Sequence, residues 1–184
     1  MTGPDNPSES ALAFLTVIED DDGSCYGGLL AVNLAGRPLE FHCTAPLRPN
    51  RAQQILYGGT LTAFVYGEQI APALLGQLEL KPQLVLSDQP AVLALQRTSQ
   101  QPVVLLARGQ QQSPDLSAAT AGMVRGQSSW QLGSYWLTVS DCQQEERPLI
   151  DRLARMLDET VDLDEPFGRI REAIQEAQRS ARAA

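Results

Sequence analysis

The stretch ALAFLTVIEDDDGSCYGGLLAVN, residues 11–33, contains two apolar runs on either side of an acidic turn. Asp22 and Gly23 form one of the residue pairs that favour a tight turn between antiparallel strands. The two runs are therefore predicted to form a β-hairpin. Along LLAV, residues 29–32, side chains at both odd and even positions are apolar, which indicates a central strand covered on both faces.

The chain then returns through PLEFHCT, residues 38–44, where apolar and polar side chains alternate. This alternation is typical of a half-buried strand and completes a three-stranded antiparallel meander. Residues 83–108 follow as an apolar run, a short segment with Pro90 near its start, and a second apolar run. Proline suits the first turn of a helix, so this region is predicted to be a βαβ-like unit with parallel strands.

The C-terminal part of the chain, at about residues 145–182, is predicted to be helical, because apolar residues recur there with helical spacing. The predicted fold class is therefore α/β (α+β). It consists of a small mixed sheet, built from the meander and the βαβ-like unit, followed by two amphipathic helices. Residues 1–10 are expected to be a disordered leader. Residues 11–184 are expected to form a single domain with a mobile loop at about 109–129, where Gln, Ser, Ala and Gly dominate.

Composition limits the classes of partner that the sequence favours. The chain has 184 residues and a formal net charge of −8, and it shows no cluster of basic residues. A negative protein repels phosphate backbones and anionic lipids, so neither nucleic acid nor a membrane is expected as a partner. The sequence also lacks a signal-peptide pattern and any apolar segment of 18 residues, which indicates a soluble, cytoplasmic protein.

No catalytic residue is predicted. His42 is the only histidine, and although Cys43 is its neighbour, successive side chains on a strand point to opposite faces. A cysteine nucleophile needs its base within hydrogen-bond reach, which this arrangement does not provide. The three cysteines and His42 also lack the spacing of a zinc site, and no glycine-rich phosphate loop occurs. No metal site and no cofactor are therefore expected, and the chain is expected not to be an enzyme.

One candidate ligand site lies at the start of a predicted helix. Arg48 and Arg51 flank Asn50, and the free N–H groups at a helix start favour anions. These three residues are predicted to bind an anion, with an ordinary helix cap and two solvated arginines as the alternative. Asp88 follows a predicted strand, at the end where α/β sheets often place functional groups. The alternative for Asp88 is a cap on the helix that follows.

A second candidate site is an apolar stripe on the first C-terminal helix. Leu149, Leu153 and Met156 are spaced at i, i+4 and i+7, so they share one helix face. The three residues are predicted to bind a partner if the stripe is exposed. The alternative is that the stripe packs against the protein's own sheet.

The order of meander, helix and strand resembles small α/β adaptor folds such as the profilin-like and roadblock-like classes. That resemblance concerns the fold alone. The missing catalytic motifs, together with the association surface that the two C-terminal amphipathic helices offer, favour a non-catalytic cytoplasmic protein-interaction or adaptor module that binds a protein partner or forms a homo-oligomer. Two alternatives remain at the level of sequence. One is a small-molecule or anion-binding regulatory domain that uses Arg48, Asn50 and Arg51, and the other is an enzyme whose site is assembled only in three dimensions.

Overall fold

The structure is a computed structural model, and it describes residues 11–109, 126–158 and 162–183. These residues form one sheet of seven strands, in the order β3-β2-β1-β4-β5-β7-β6. The strands are β1 (Ala11–Glu19), β2 (Cys25–Asn33), β3 (Pro38–Cys43), β4 (Leu84–Ser87), β5 (Val103–Arg108), β6 (Gln127–Leu132) and β7 (Tyr135–Ser140).

The pairing confirms the predicted mixed sheet. Strands β1, β2 and β3 form the antiparallel meander, in which Glu19 lies opposite Cys25 across the acidic turn. Strand β1 pairs with β4 in parallel, and β4 pairs with β5 in parallel, as expected for the βαβ-like unit. The antiparallel hairpin of β6 and β7 extends the sheet beyond β5. Strand β1 is therefore a central strand, with β2 on one side and β4 on the other.

The helices cover both faces of the sheet. They are α1 (Arg51–Tyr57), α2 (Leu61–Ala63), α3 (Ala71–Leu75), α4 (Arg147–Asp158) and α5 (Glu165–Ala183), with a π-helical segment (Phe64–Ile70) between α2 and α3 and 3-10 helices at Gly58–Thr60, Pro90–Arg97 and Asp141–Glu146. Helix α1 starts with a capping box, in which Asn50 and Gln53 each bond to the other's backbone N–H.

Two apolar layers result, one on each face of the sheet. Leu12 and Phe14 of β1 pack on one face with α4 and α5, and the ring of Phe14 meets that of Phe167 edge to face at 5.2 Å. Leu15 and Val17 face the opposite side, where they pack with the helices between Leu61 and Leu75 and with the 3-10 helix Pro90–Arg97. Because helices cover both faces, the central strands need apolar residues at both odd and even positions, as their sequences show.

The structure corrects part of the predicted loop at about 109–129. Residues 110–125 and the predicted leader at 1–10 lie outside the described residues, but Gln127–Ser129 belong to strand β6. There Gln127 lies opposite Ser140, and the hydroxyl of Ser129 is 2.7 Å from that of Thr138. Polar composition alone suggested a loop, but residues 127–129 pair with the neighbouring strand β7. Among the described helices, none is long and apolar enough to cross a membrane.

Candidate functional site at the carboxyl edge of the parallel strands

The three parallel strands β1, β4 and β5 end at the same edge of the sheet, at Glu19, Ser87 and Arg108. In open α/β sheets, ligands bind in crevices outside the carboxyl ends of the strands. This carboxyl edge also lies where the chain direction changes, because β1 connects outward to β2 whereas β4 connects to β5 on the other side. Both features favour a functional site at this edge.

Asp88 directly follows β4 and lies at this edge, as the sequence predicted. Its carboxylate forms an ion pair with the guanidinium of Arg171 on α5. The same guanidinium lies 3.5 Å from the hydroxyl of Thr16, a fully buried residue of β1. The other carboxylate oxygen of Asp88 is buried and has no hydrogen-bond partner among the described residues. The alternative interpretation of Asp88 as a helix cap is wrong, because Gln89 occupies the cap position.

Gln89 fixes the ends of β1 and β4 relative to each other. Its side-chain oxygen accepts a hydrogen bond from the backbone N–H of Val17 at 2.7 Å, and its side-chain nitrogen donates to the carbonyl of Val17 at 2.8 Å. The carboxamide thus replaces the backbone of a neighbouring strand at a point where β4 has ended. It continues the hydrogen-bonding pattern of the sheet beyond Ser87.

Replacing Gln89 by alanine is expected to lower the free energy of unfolding by about 1 to 3 kcal/mol, because it leaves two polar groups of Val17 without partners. Val17 is 3% exposed, so water does not readily replace the lost hydrogen bonds. Urea unfolding followed by circular dichroism measures the loss. Gln89→Glu retains an acceptor for the N–H but loses the donor to the carbonyl. A Gln89→Ala variant as stable as the wild type would contradict the role assigned to this side chain.

A second group of charged residues lies at the carboxyl end of β5. Arg108 lies 3.2 Å from a carboxylate oxygen of Asp162 and 3.2 Å from one of Asp164. The hydroxyl of Tyr135 donates to Asp162, and this hydrogen bond holds the pKa of that carboxyl below its usual value. Burial raises the pKa of Asp164, and the charge of Asp162 contributes to the same shift. The guanidiniums of Arg108 and Arg171 therefore each have a carboxylate partner.

A cleft of about 450 Å³ opens at the carboxyl end of β1. We call it the acidic cleft, and its lining residues are Glu19, Asp20, Asp21, Asp22 and Tyr26. Four consecutive acidic residues line it because the tight turn after β1 brings them to one end of the hairpin. The turn predicted from the sequence thus forms a wall of this cleft.

The acidic residues of the cleft differ in their own contacts. Asp22 accepts hydrogen bonds of 3.0 Å from the backbone N–H and from the hydroxyl of Ser24, and these bonds lower its pKa. Arg48 lies 3.8 Å from Asp22, with both side chains mostly exposed. A carboxylate oxygen of Glu19 is 3.4 Å from the hydroxyl of Tyr66, which lies on the π-helical segment. Asp21 has no hydrogen bond or ion pair with any described residue.

The cysteine nearest the cleft is not activated as a nucleophile. Cys25 is 4% exposed, and burial, followed by the negative charge of Glu19, raises the pKa of its thiol. Burial also raises the pKa of Tyr66, which lies beside the thiol. Since the thiolate is the reactive form of cysteine, a raised pKa keeps this side chain unreactive.

His42 and Cys43 are separated as the strand pattern predicted. The Nε2 atom of His42 is 3.2 Å from the carboxylate of Glu40 on the same strand face, whereas Cys43 packs against the apolar layer beneath α5. Glu40 also accepts backbone hydrogen bonds from Glu79 and Leu80, which lower its pKa. Glu40 therefore ties the edge strand β3 to the segment after α3.

The predicted anion-binding residues are engaged in other contacts. Arg48 faces Asp22, the side-chain oxygen of Asn50 accepts the N–H of Gln53, and Arg51 contacts Gln54 at 3.4 Å. Helix α1 has only seven residues. The structure places Arg48 beside Asp22 of the acidic cleft rather than beside Asn50 and Arg51. The role of Arg48, Asn50 and Arg51 in anion binding stays a prediction.

The predicted partner-binding stripe on α4 is mostly covered by the protein itself. Leu153 is 2% exposed and belongs to the apolar layer between α4, α5 and the sheet. Leu149 packs against the same layer, whereas Met156 is 39% exposed. The structure thus favours the alternative of core packing for Leu153, and partner binding by the stripe stays a prediction.

Most of the interacting residues of the carboxyl edge were not identified from the sequence. Arg171, Arg108 and Asp162 come from distant parts of the chain, and only folding brings them to Asp88 and Tyr135. Thr16 could have been noticed, because it is a polar residue within the apolar run of β1. Within residues 11–109, 126–158 and 162–183, no group of three or more His, Cys, Asp or Glu side chains is placed to hold a metal ion.

No family model and no curated protein matches the sequence. Solved structures that resemble the fold include endonuclease V of Ciona intestinalis in complex with an inosine-containing 24mer DNA. It is 8% identical, with a TM-score of 0.37 and 71% of each chain covered. Human ENDOV is 13% identical, with a TM-score of 0.41, 94% of this chain and 89% of that chain covered. An Argonaute from Marinitoga piezophila, in complex with 5′ OH guide RNA, is 10% identical, with a TM-score of 0.33, 73% of this chain and 23% of that chain covered.

These comparisons correct two predictions. The sequence favoured a non-catalytic protein-interaction or adaptor module with a protein partner or a homo-oligomer, whereas the similar structures are two endonucleases and an Argonaute. The sequence also excluded nucleic acid, whereas two of these three structures contain DNA or RNA. The adaptor interpretation and the exclusion of nucleic acid are therefore withdrawn. At 8 to 13% identity, no activity and no residue role passes from these proteins to this chain, whose similarity to them lies in the path of the chain.

Proposed function

We propose that this protein binds an organic cation that carries two or more ammonium groups, in the acidic cleft at the carboxyl end of β1. The observation that carries the proposal is the cleft itself. Among the residues that the structure describes, its lining contains four consecutive acidic residues and Tyr26, and no basic residue. A linear polyamine has the chemistry that complements such a wall.

The negative charge of the protein favours a cationic ligand. The whole chain carries a formal net charge of −8, so its long-range field attracts cations to its surface. Arg48 is the basic residue paired with an acid of the cleft, at 3.8 Å from Asp22, and both of these side chains are mostly exposed. Asp21 has no partner among the described residues, so its carboxylate is available to an ammonium group.

The volume and the lining residues of the acidic cleft favour an organic cation over a metal ion. Small-molecule pockets commonly have volumes of about 300 to 1,000 Å³, a range that includes this cleft. The described carboxylates are not arranged as a group that could hold a metal ion. An ammonium group also gains from contact with an aromatic face, and Tyr26 supplies such a ring in the lining.

The test is titration calorimetry of the full chain with spermidine at low and at physiological ionic strength. Asp21→Asn is expected to weaken binding by roughly 3- to 5-fold, the size of one exposed charge pair. Glu145→Gln is the matched control, because it removes the same charge from an exposed position on the 3-10 helix before α4. This control is expected to bind spermidine as the wild type does. Higher ionic strength is expected to weaken binding in all three proteins, because salt screens exposed charges.

Three results would contradict the proposal. The first is a wild-type protein that does not bind spermidine at low ionic strength. The second is an equal loss of affinity in Asp21→Asn and Glu145→Gln, which would indicate a nonspecific effect of net charge. The third is a single-stranded DNA oligonucleotide that binds more tightly than spermidine, with an affinity that Asp21→Asn increases. Such a result would indicate a nucleic-acid ligand at this edge, repelled by the acidic cleft.

A further inference from the structure

A second cleft, of about 360 Å³, lies at the opposite edge of the sheet, near the amino end of β5. It is formed between the last turn of α3 and the turn that follows the 3-10 helix Pro90–Arg97. We call it the Lys81 cleft, because Lys81 is the charged residue of its lining. It shares no residue with the acidic cleft.

The Lys81 cleft has an apolar wall. Pro72 and Leu75 of α3 and Leu95 of the 3-10 helix line it. Leu95 is only 1% exposed, so it belongs to the apolar layer and gives the wall a fixed base. Leu75 packs against the same layer and is partly open to solvent. This wall offers a surface for a short hydrocarbon group.

The lining of the Lys81 cleft also contains polar residues, among them the positively charged Lys81. Lys81 is the only lysine of the sequence, and it forms no ion pair with any residue in the described part of the chain. No carboxylate occurs among the described residues of the lining, although the chain as a whole is strongly acidic. Gln100 also belongs to the lining and is exposed, with no hydrogen bond to a described residue. An ammonium group and a carboxamide are therefore both available to a ligand.

The remaining polar groups of the cleft are held by their own bonds. The hydroxyl of Thr98 donates to the carbonyl of Leu95 at 3.3 Å, and Ser99 accepts the N–H of Gln101 at 3.1 Å. The carbonyls at the two helix ends, which would otherwise repel an anion, are also occupied. The carbonyl of Pro72 accepts the N–H of Gly76, and that of Leu95 accepts the N–H groups of Thr98 and Ser99. The cleft is therefore pre-formed, with the charge of Lys81 left to act on a ligand.

We propose that the Lys81 cleft binds a small carboxylate with an apolar tail. The carboxylate meets the ammonium group of Lys81 and the carboxamide of Gln100, and the tail lies against Pro72, Leu75 and Leu95. A straight-chain acid of about six carbons matches a cleft of this size. In such a cleft the apolar wall binds the hydrocarbon tail, and the few polar groups orient the acid. The anion is selected by charge, because the described lining residues include a cation and no acid.

The single lysine makes the test specific. Protein grown with isotope-labelled lysine gives one set of lysine side-chain signals, which report on Lys81 alone. Titration with hexanoate is expected to shift these signals saturably. Hexanol and hexylamine, which keep the tail but lack the negative charge, are expected to bind at least 5-fold more weakly. Affinity is also expected to rise by roughly 3-fold per methylene group from butyrate to hexanoate, because each added group buries apolar surface.

Two variants distinguish binding at the Lys81 cleft from a general effect of net charge. Lys81→Met keeps the apolar stem and removes the ammonium group, and it is expected to weaken hexanoate binding at least 5-fold by calorimetry. Arg152→Met removes the same charge from an exposed position on α4, and it is expected to bind hexanoate as the wild type does. The proposal is overturned if hexanoate gives no saturable shift, if both variants lose affinity equally, or if hexanol binds as tightly as hexanoate. Spermidine binding is read separately, so failure here leaves the acidic cleft untouched.

Discussion

Replacing Leu153 by glutamate is expected to lower the free energy of unfolding by about 3 to 5 kcal/mol. The leucine is 2% exposed and lies in the apolar layer between α4, α5 and the sheet. Its removal loses the burial of a large side chain, which costs about 2 to 5 kcal/mol on its own. A carboxylate at that position must in addition lose its hydration or become protonated. Urea unfolding followed by circular dichroism measures the effect.

Met156→Glu is the matched control on the same helix. Met156 is 39% exposed, so a glutamate there can reach solvent, and the expected change is within about 1 kcal/mol. The contrast between the two variants distinguishes core packing from an exposed binding stripe. If Leu153→Glu kept wild-type stability while Met156→Glu lost several kcal/mol, the assignment of the buried face of α4 would be wrong.

The fold could be predicted from the sequence because the patterns that specify it are local. Both runs of the first hairpin are apolar at odd and even positions, and both strands are covered by helices on each face. The turn at Asp22 and Gly23 and the capping box at Asn50 depend on residues no more than three positions apart. Such features are determined by short-range geometry, so the sequence alone was sufficient to identify them.

The candidate site could be predicted only in part, because it depends on contacts between distant residues. Asp88 was recognised by its position after a strand, but its partner Arg171 lies 83 residues further along the chain. Thirteen arginines occur in the sequence, and no local pattern distinguishes the one that reaches Asp88. The helix start at Asn50 is a local feature, and the structure shows it as a helix cap. Anion binding there by Arg48, Asn50 and Arg51 stays a prediction.

The contribution of Gly67 to stability cannot be judged from helix propensity alone. A glycine inside a helical segment normally weakens the helix, and alanine is normally the better residue by about 0.5 to 1 kcal/mol. Gly67 lies in the π-helical segment, where it faces the 3-10 helix Pro90–Arg97. A β-carbon at this position would lie 2.7 Å from the carbonyl oxygen of Ala91 and 3.0 Å from the backbone nitrogen of Leu95. The two helices approach each other this closely only because Gly67 has no side chain.

Gly67→Ala is therefore expected to destabilise the protein by about 1 to 3 kcal/mol, opposite in sign to the helix propensity, and Gly67→Val by about 3 kcal/mol or more. The clash is with backbone atoms, which a change of rotamer cannot move. Gly59→Ala is the matched control, because a β-carbon there meets no atom within 4 Å and the residue has no positive φ. This control is expected to gain up to about 1 kcal/mol, since alanine restricts the unfolded chain. Urea unfolding curves of the three variants test the sign, and a Gly67→Ala protein that is more stable than the wild type would show that the two helices can separate at no cost.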